Sequence, residues 1–171
     1  PGEKISAMVQ MREFEDNKYL IMATKNGTIK KTPINAYTNI RKSGIQAITL
    51  RENDELIDVT ISDNTHNIML VTKNGQGIKF RETDVRETGR SAMGVRGIEL
   101  KGNDEVISMQ IDTEGEYILI VSANGMGKRT PFTEFKLQNR GGKGVKCYKI
   151  TEKTGEVVGA KAVNDGNEIM M

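Results

Sequence analysis

The chain has 171 residues, of which 36% are apolar and 28% charged, and its formal net charge is +2. That length supports one substantial core, while no run of about eighteen apolar residues marks a membrane span and no basic-then-apolar leader marks a signal peptide. A single cysteine, Cys147, excludes an internal disulfide and fits a reducing cytoplasm.

Taken in order, the chain is an array. It starts at Pro1 and stops inside the apolar run Ile169-Met170-Met171, so it reads as a piece of a larger polypeptide. Glu3 to Met11 reads as a first strand. The apolar run Tyr19 to Ala23 follows, with equivalents at Ile68 to Val71 and Tyr117 to Val121. Such Ile-, Leu- and Val-rich runs predict buried strands. Each run meets an Asn-Gly pair, Asn26-Gly27, Asn74-Gly75 and Asn124-Gly125, which predicts a tight hairpin turn of the primed type. A third strand leaves the turn and carries a cation four positions beyond the glycine: Lys31, Lys79 or Arg129. A long polar connection then passes through a Gly-rich segment to a fourth strand ending at Leu50, Leu100 or Ile150. The turn glycines are 48 and 50 residues apart, and Gly44, Gly94 and Gly144 are spaced by 50 and 50. The acidic turns Asn53-Asp54-Glu55 and Asn103-Asp104-Glu105 open the second and third units.

Four short strands per unit without helical periodicity predict an all-β, propeller-like array. Its approximate blades are 3–50, 51–100 and 101–150, with a partial one at 151–171.

Charge is segregated inside each unit. Residues 25–50 carry five cations and no acids, residues 73–100 six and four, and residues 124–150 seven and one. The remaining segments are acidic, so a split of +13 against −11 underlies the total. In a radial array, equivalent positions face one way, and the basic halves should form a belt suited to a polyanion. The candidate contacts are Lys30, Lys31, Arg41, Lys42, Lys79, Arg81, Arg90, Arg96, Lys128, Arg129, Arg140, Lys143 and Lys146. With 5% aromatics and no Trp, stacking on single strands is poorly supported, and backbone binding of a duplex fits better.

Other chemistry is sparse. Gly141-Gly142-Lys143-Gly144 lacks the Ser/Thr and the following helix of a nucleotide-phosphate loop. His66, the single histidine, falls in a turn by composition and is read as exposed and inert, and one His with one Cys does not make a zinc site. Cys147 reads as a small packing residue, and Phe135, Val85 and Tyr37 share a core position. No catalytic set, metal site or cofactor is expected. Competing readings are a protein-interaction module on a propeller-like disc and, third, an autonomous enzyme.

The repeats resemble the C-terminal domain of the bacterial DNA gyrase A subunit. The residues that carry this are Ala23 to Gly27 with Lys30 to Pro33, Asn39 to Ile45, Thr72 to Gln76, Asp84 to Arg86 with Gly94 to Ile98, and Lys128 to Pro131. Gln138-Asn139-Arg140-Gly141-Gly142-Lys143-Gly144 is similar to the family's A-box, with Asn139 where an Arg is expected and in the third unit instead of the first blade. It reads as a related copy from a later blade. The resemblance implies a β-pinwheel of four-stranded blades interlocked by exchanged strands, about three complete repeats plus a partial one. It also implies a basic rim that wraps double-stranded DNA to support ATP-dependent negative supercoiling, with the catalytic residues elsewhere. The implied partners, in an A2B2 assembly away from membranes, are the gyrase B subunit and the rest of the A subunit. The equivalent domain of topoisomerase IV is a close relative and an alternative.

Overall fold

A computed structural model describes residues 18–37, 50–89, 91–112 and 115–164. The expected strand at Glu3 to Met11 lies outside these. Three antiparallel sheets form. The first has the order β3 (Leu56–Ser62), β1 (Tyr19–Thr24), β2 (Thr28–Pro33), β6 (Val95–Arg96). The second repeats it with β7 (Val106–Ile111), β4 (Asn67–Thr72), β5 (Gln76–Arg81) and β10 (Val145–Lys146). The third contains β11 (Val157–Val163), β8 (Tyr117–Ser122) and β9 (Gly127–Pro131), with no fourth strand among the described residues. The helical elements are short 3-10 turns, among them Ile34–Tyr37, Glu82–Asp84 and Phe132–Glu134.

The sheets cut across the sequence repeat. The first takes β1 and β2 from one unit and both flanking strands from the next. Backbone ties between neighbouring sheets reach two units along the sequence, with Val106 N donating to the Lys25 carbonyl at 2.8 Å and Val157 N to that of Lys73 at 2.9 Å. Strand β7 packs beside both β3 and β11, so these three line one edge of the array and β6 and β10 lie at the opposite, outer edge.

The unbroken apolar runs are explained by burial on both faces. In β4, Ile68 and Leu70 join a core with Ile21, Ile29 and Phe80 of the first two sheets, while Met69 and Val71 face a second core with Ile118, Ile120 and Phe132. A strand sandwiched between two layers has no polar face to alternate with. Val85 and Phe135 both enter these cores.

The turns differ from the expected primed form. Gly27 N donates to the Thr24 carbonyl at 3.1 Å and Gly75 N to that of Thr72 at 3.1 Å. Only the glycines take positive φ, 94° and 85°, and the asparagines do not. Each loop is therefore three residues long, a turn followed by a glycine in the left-handed region. The preceding hydroxyl favours this form, since Thr24 Oγ1 accepts from Thr28 N at 3.1 Å and Thr72 Oγ1 from Gln76 N at 3.0 Å. Close approach adds a second demand for glycine, since a Cβ at Gly75 would lie 2.3 Å from the Tyr148 carbonyl oxygen.

Candidate nucleic-acid interface

The outer edge is built by short strands that return from the next unit. Gly97 and Ile98 N–H groups both donate to the Gly27 carbonyl, and Cys147 and Tyr148 N–H groups to that of Gly75. These bonds set the register Arg96 opposite Thr28 and Lys146 opposite Gln76. Arg96 and Lys146, fifty residues apart, are both exposed on the outermost strands, and Lys143 is exposed just before β10. Arg81 is exposed at the end of β5, and Lys128 and Arg129 along β9. The Arg129 guanidinium stacks 4.5 Å from the Tyr117 ring centre.

Three of the expected rim cations lie inside instead. Lys30 and Lys31 are buried, and Lys79 is half-buried. Lys31 Nζ donates to Asn64 Oδ1 at 2.6 Å and to the Glu82 carbonyl at 3.2 Å, and lies 5.2 Å from the Tyr19 ring centre. Lys79 Nζ donates to the Phe132 carbonyl at 2.8 Å. Burial holds the Lys31 and Lys79 ammonium groups below the usual lysine range and pushes Lys30 down to about 8. The physical reason is position: β2 and β5 are interior strands of their sheets, with neighbours on both faces. Arg41, Lys42 and Arg90 lie outside the described residues.

The Gly-rich segment of the third unit runs across the second sheet. Gln138 N donates to the Lys79 carbonyl at 2.8 Å, Gly141 N to that of Gly97 at 2.8 Å, and Glu99 N to that of Gly142 at 2.8 Å. Asn139 is exposed, and Gly144 takes φ +75° against the Gly77 backbone. Arg140 is half-buried and turned onto two carbonyls.

The acidic turns have a defined task at the Asn-Gly end. Asp54 Oδ1 accepts from Asn26 N, and Asp104 Oδ1 from Asn74 N, each at 2.9 Å. In the third unit Asn124 Nδ2 reaches the Lys153 carbonyl instead, at 3.0 Å. His66 departs from its expected exposure: it is half-buried, 3.2 Å from Asp63 and 3.9 Å from Asp112. Sequence reasoning also missed Glu82, a buried carboxylate that accepts from Ser62 Oγ at 2.6 Å and Asn64 N at 2.7 Å. Charge counted along a sequence is the same for a buried anion as for a surface one. Cys147 is buried, and desolvation pushes its thiol up to about 12. No group of three or more metal-ligating side chains gathers among the described residues.

Fold and edge together define a propeller-like repeat protein with cations on its outermost strands. The sequence matches the family described as DNA gyrase C-terminal domain, beta-propeller, over residues 18–63, 66–111 and 116–164, one segment per sheet. The chain belongs to this family. It is 49% identical to the DNA gyrase A subunit of Clostridium acetobutylicum over all 171 residues, and it spans 21% of that protein's length. Two solved structures are similar at 32% identity each. One is a topoisomerase IV C-terminal domain (TM-score 0.81, covering 88% of this chain and 48% of that one). The other is a DNA gyrase A C-terminal domain (TM-score 0.79, covering 90% and 51%).

Proposed function

We propose that this chain is a non-catalytic DNA-wrapping module of the A subunit in a type IIA topoisomerase, bending duplex DNA around its outer edge. The observation that carries this reading is the repeat of Arg96 and Lys146 in one register on the outermost strands of two adjacent sheets, with Lys143 beside the second. Cations spaced along one edge meet successive phosphates, and each neutralised phosphate releases counterions, with a slope of about 0.9 in log affinity against log salt. Binding of this kind reads little sequence. Bending a site of roughly 20–30 base pairs costs on the order of 1–6 kcal/mol, which a run of such contacts offsets.

In this reading strand cleavage and ATP hydrolysis belong to other parts of a cytoplasmic A2B2 gyrase, and the module contributes by shaping the duplex for negative supercoiling. Gyrase is favoured over topoisomerase IV by the match, along the whole of this chain, to a gyrase A subunit. The decisive experiment measures binding and end-to-end distance of a linear duplex across a salt series. The parent chain should bind, shorten the duplex and lose affinity steeply with salt. The triple variant Arg96→Glu, Lys143→Glu, Lys146→Glu should neither bind nor shorten it, and unchanged bending by that variant would remove the assignment.

A further inference from the structure

Arg140 sits in the Gly-rich segment among residues expected to meet phosphate, yet its guanidinium is turned onto the protein. Nε donates to the Asp84 carbonyl at 2.9 Å and Nη1 to the Arg96 carbonyl at 2.6 Å. These acceptors belong to two different elements, the 3-10 turn after β5 and the outermost strand β6. The backbone continues the same contact. Gly141 N donates to the Gly97 carbonyl, Glu99 N donates to that of Gly142, and a Cβ on Gly141, at φ +88°, would stand 3.4 Å from the Arg96 oxygen. A planar fork of fixed N–H directions suits two carbonyls at once, whereas a lysine ammonium on a flexible stem does not reproduce it.

We propose that Arg140 is a positioning residue for the duplex-binding edge. It ties the Gly-rich segment of one unit to β6 of the preceding sheet, so that Arg96 and Lys143 are held outward as a pair, and it does not itself neutralise a phosphate. The inference rests on the DNA-binding reading above. It explains why a segment rich in glycine can have a defined path: the strut and its two flanking backbone bonds supply the restraint that glycine lacks.

The test compares Arg140→Lys with Arg140→Gln, and with Arg96→Gln and Lys143→Gln, in the intact chain binding a short linear duplex. A phosphate contact tolerates lysine; a strut does not. Both Arg140 variants should lose affinity alike, on the order of tenfold at fixed salt. The salt slope should fall by about 1 in Arg140→Lys although its charge is unchanged, matching the fall in Lys143→Gln. Parent-like affinity and slope in Arg140→Lys would overturn the proposal, as would parent-like behaviour in both Arg140 variants. Amide exchange of the free chain gives an independent readout. Gly141 and Glu99 should exchange faster in Arg140→Lys than in the parent or in Lys143→Gln, and unchanged exchange there counts against the strut. If the parent chain shows no salt-dependent duplex binding, the functional reading fails on its own, and the exchange comparison still decides whether Arg140 restrains the segment.

Discussion

Lys79 Nζ donates to the Phe132 carbonyl at 2.8 Å, and the pair joins the second sheet to the third. The same relation recurs one unit earlier, where Lys31 Nζ reaches the carbonyl of Glu82, fifty residues before Phe132. The main chain reinforces both links, since Thr88 N donates to the Lys31 carbonyl at 2.9 Å and Gln138 N to that of Lys79 at 2.8 Å. The cation four positions past each turn glycine is thus a latch between sheets in the first two units. Replacing Lys79 by Met leaves the Phe132 carbonyl without its donor and should cost about 1–3 kcal/mol in denaturant unfolding. The salt slope of duplex binding should stay at the parent value, because this ammonium already lies inside.

Gly75 and Gly125 offer a matched pair. Both have positive φ, 85° and 83°, so an L side chain at either incurs the left-handed penalty of roughly 1–2 kcal/mol. A Cβ at Gly75 also meets the Tyr148 carbonyl, whereas at Gly125 nothing lies within 4 Å. Gly75→Ala should therefore be the more damaging by a clear margin in thermal unfolding, and should lift the Tyr148 segment off the second sheet. Equal losses would show that the close approach does not matter.

Asp104 holds the second turn through Asn74 N at 2.9 Å and its own neighbour Glu105 N at 2.8 Å. Removing the acceptor in Asp104→Ala should cost on the order of 1–2 kcal/mol, as for loss of a capping carboxylate. Hydrogen exchange at Asn74 and Glu105 should accelerate while the cores of the first two sheets keep their protection.

Lys30 carries a pH signature. Its folded-state value is pushed below the ordinary 10.5 to about 8 by burial, so the unfolded chain holds the proton more tightly. The group therefore disfavours the folded state at neutral pH, and this penalty fades as pH rises from about 8 towards 10.5. Unfolding free energy should show a rising component across that window in the parent. The component should vanish in Lys30→Met, and a profile identical in the two proteins would rule it out.

Cys147, with its thiol pushed up to about 12 and its side chain buried, should resist alkylation at mildly alkaline pH in the folded chain. Modification should track global unfolding when denaturant is titrated, and rapid labelling without denaturant would contradict the packing described for it.

Much of the architecture is written in spacing. The apolar runs at Tyr19, Ile68 and Tyr117, the turn glycines and the fifty-residue period all mark features that the sheets repeat, because buried strands and left-handed turns constrain residue type locally. The Asn-Gly pairs misled in one respect: the Thr or Ser hydroxyl before them stabilises a three-residue loop, and its partner amide lies beyond the glycine.

Residue types that recur in register carry the class of fold and mark the segments from which the outer edge is built. Which cations reach solvent is settled by packing between units. Lys31, Lys79 and Arg140 are drawn onto carbonyls of a neighbouring unit, while Arg96, Lys143 and Lys146 face outward. The reason is that β6 and β10 arrive from the following unit and close the outer edge of each sheet, which places β2 and β5 inside. A pairing between segments some seventy residues apart leaves no trace in local pattern.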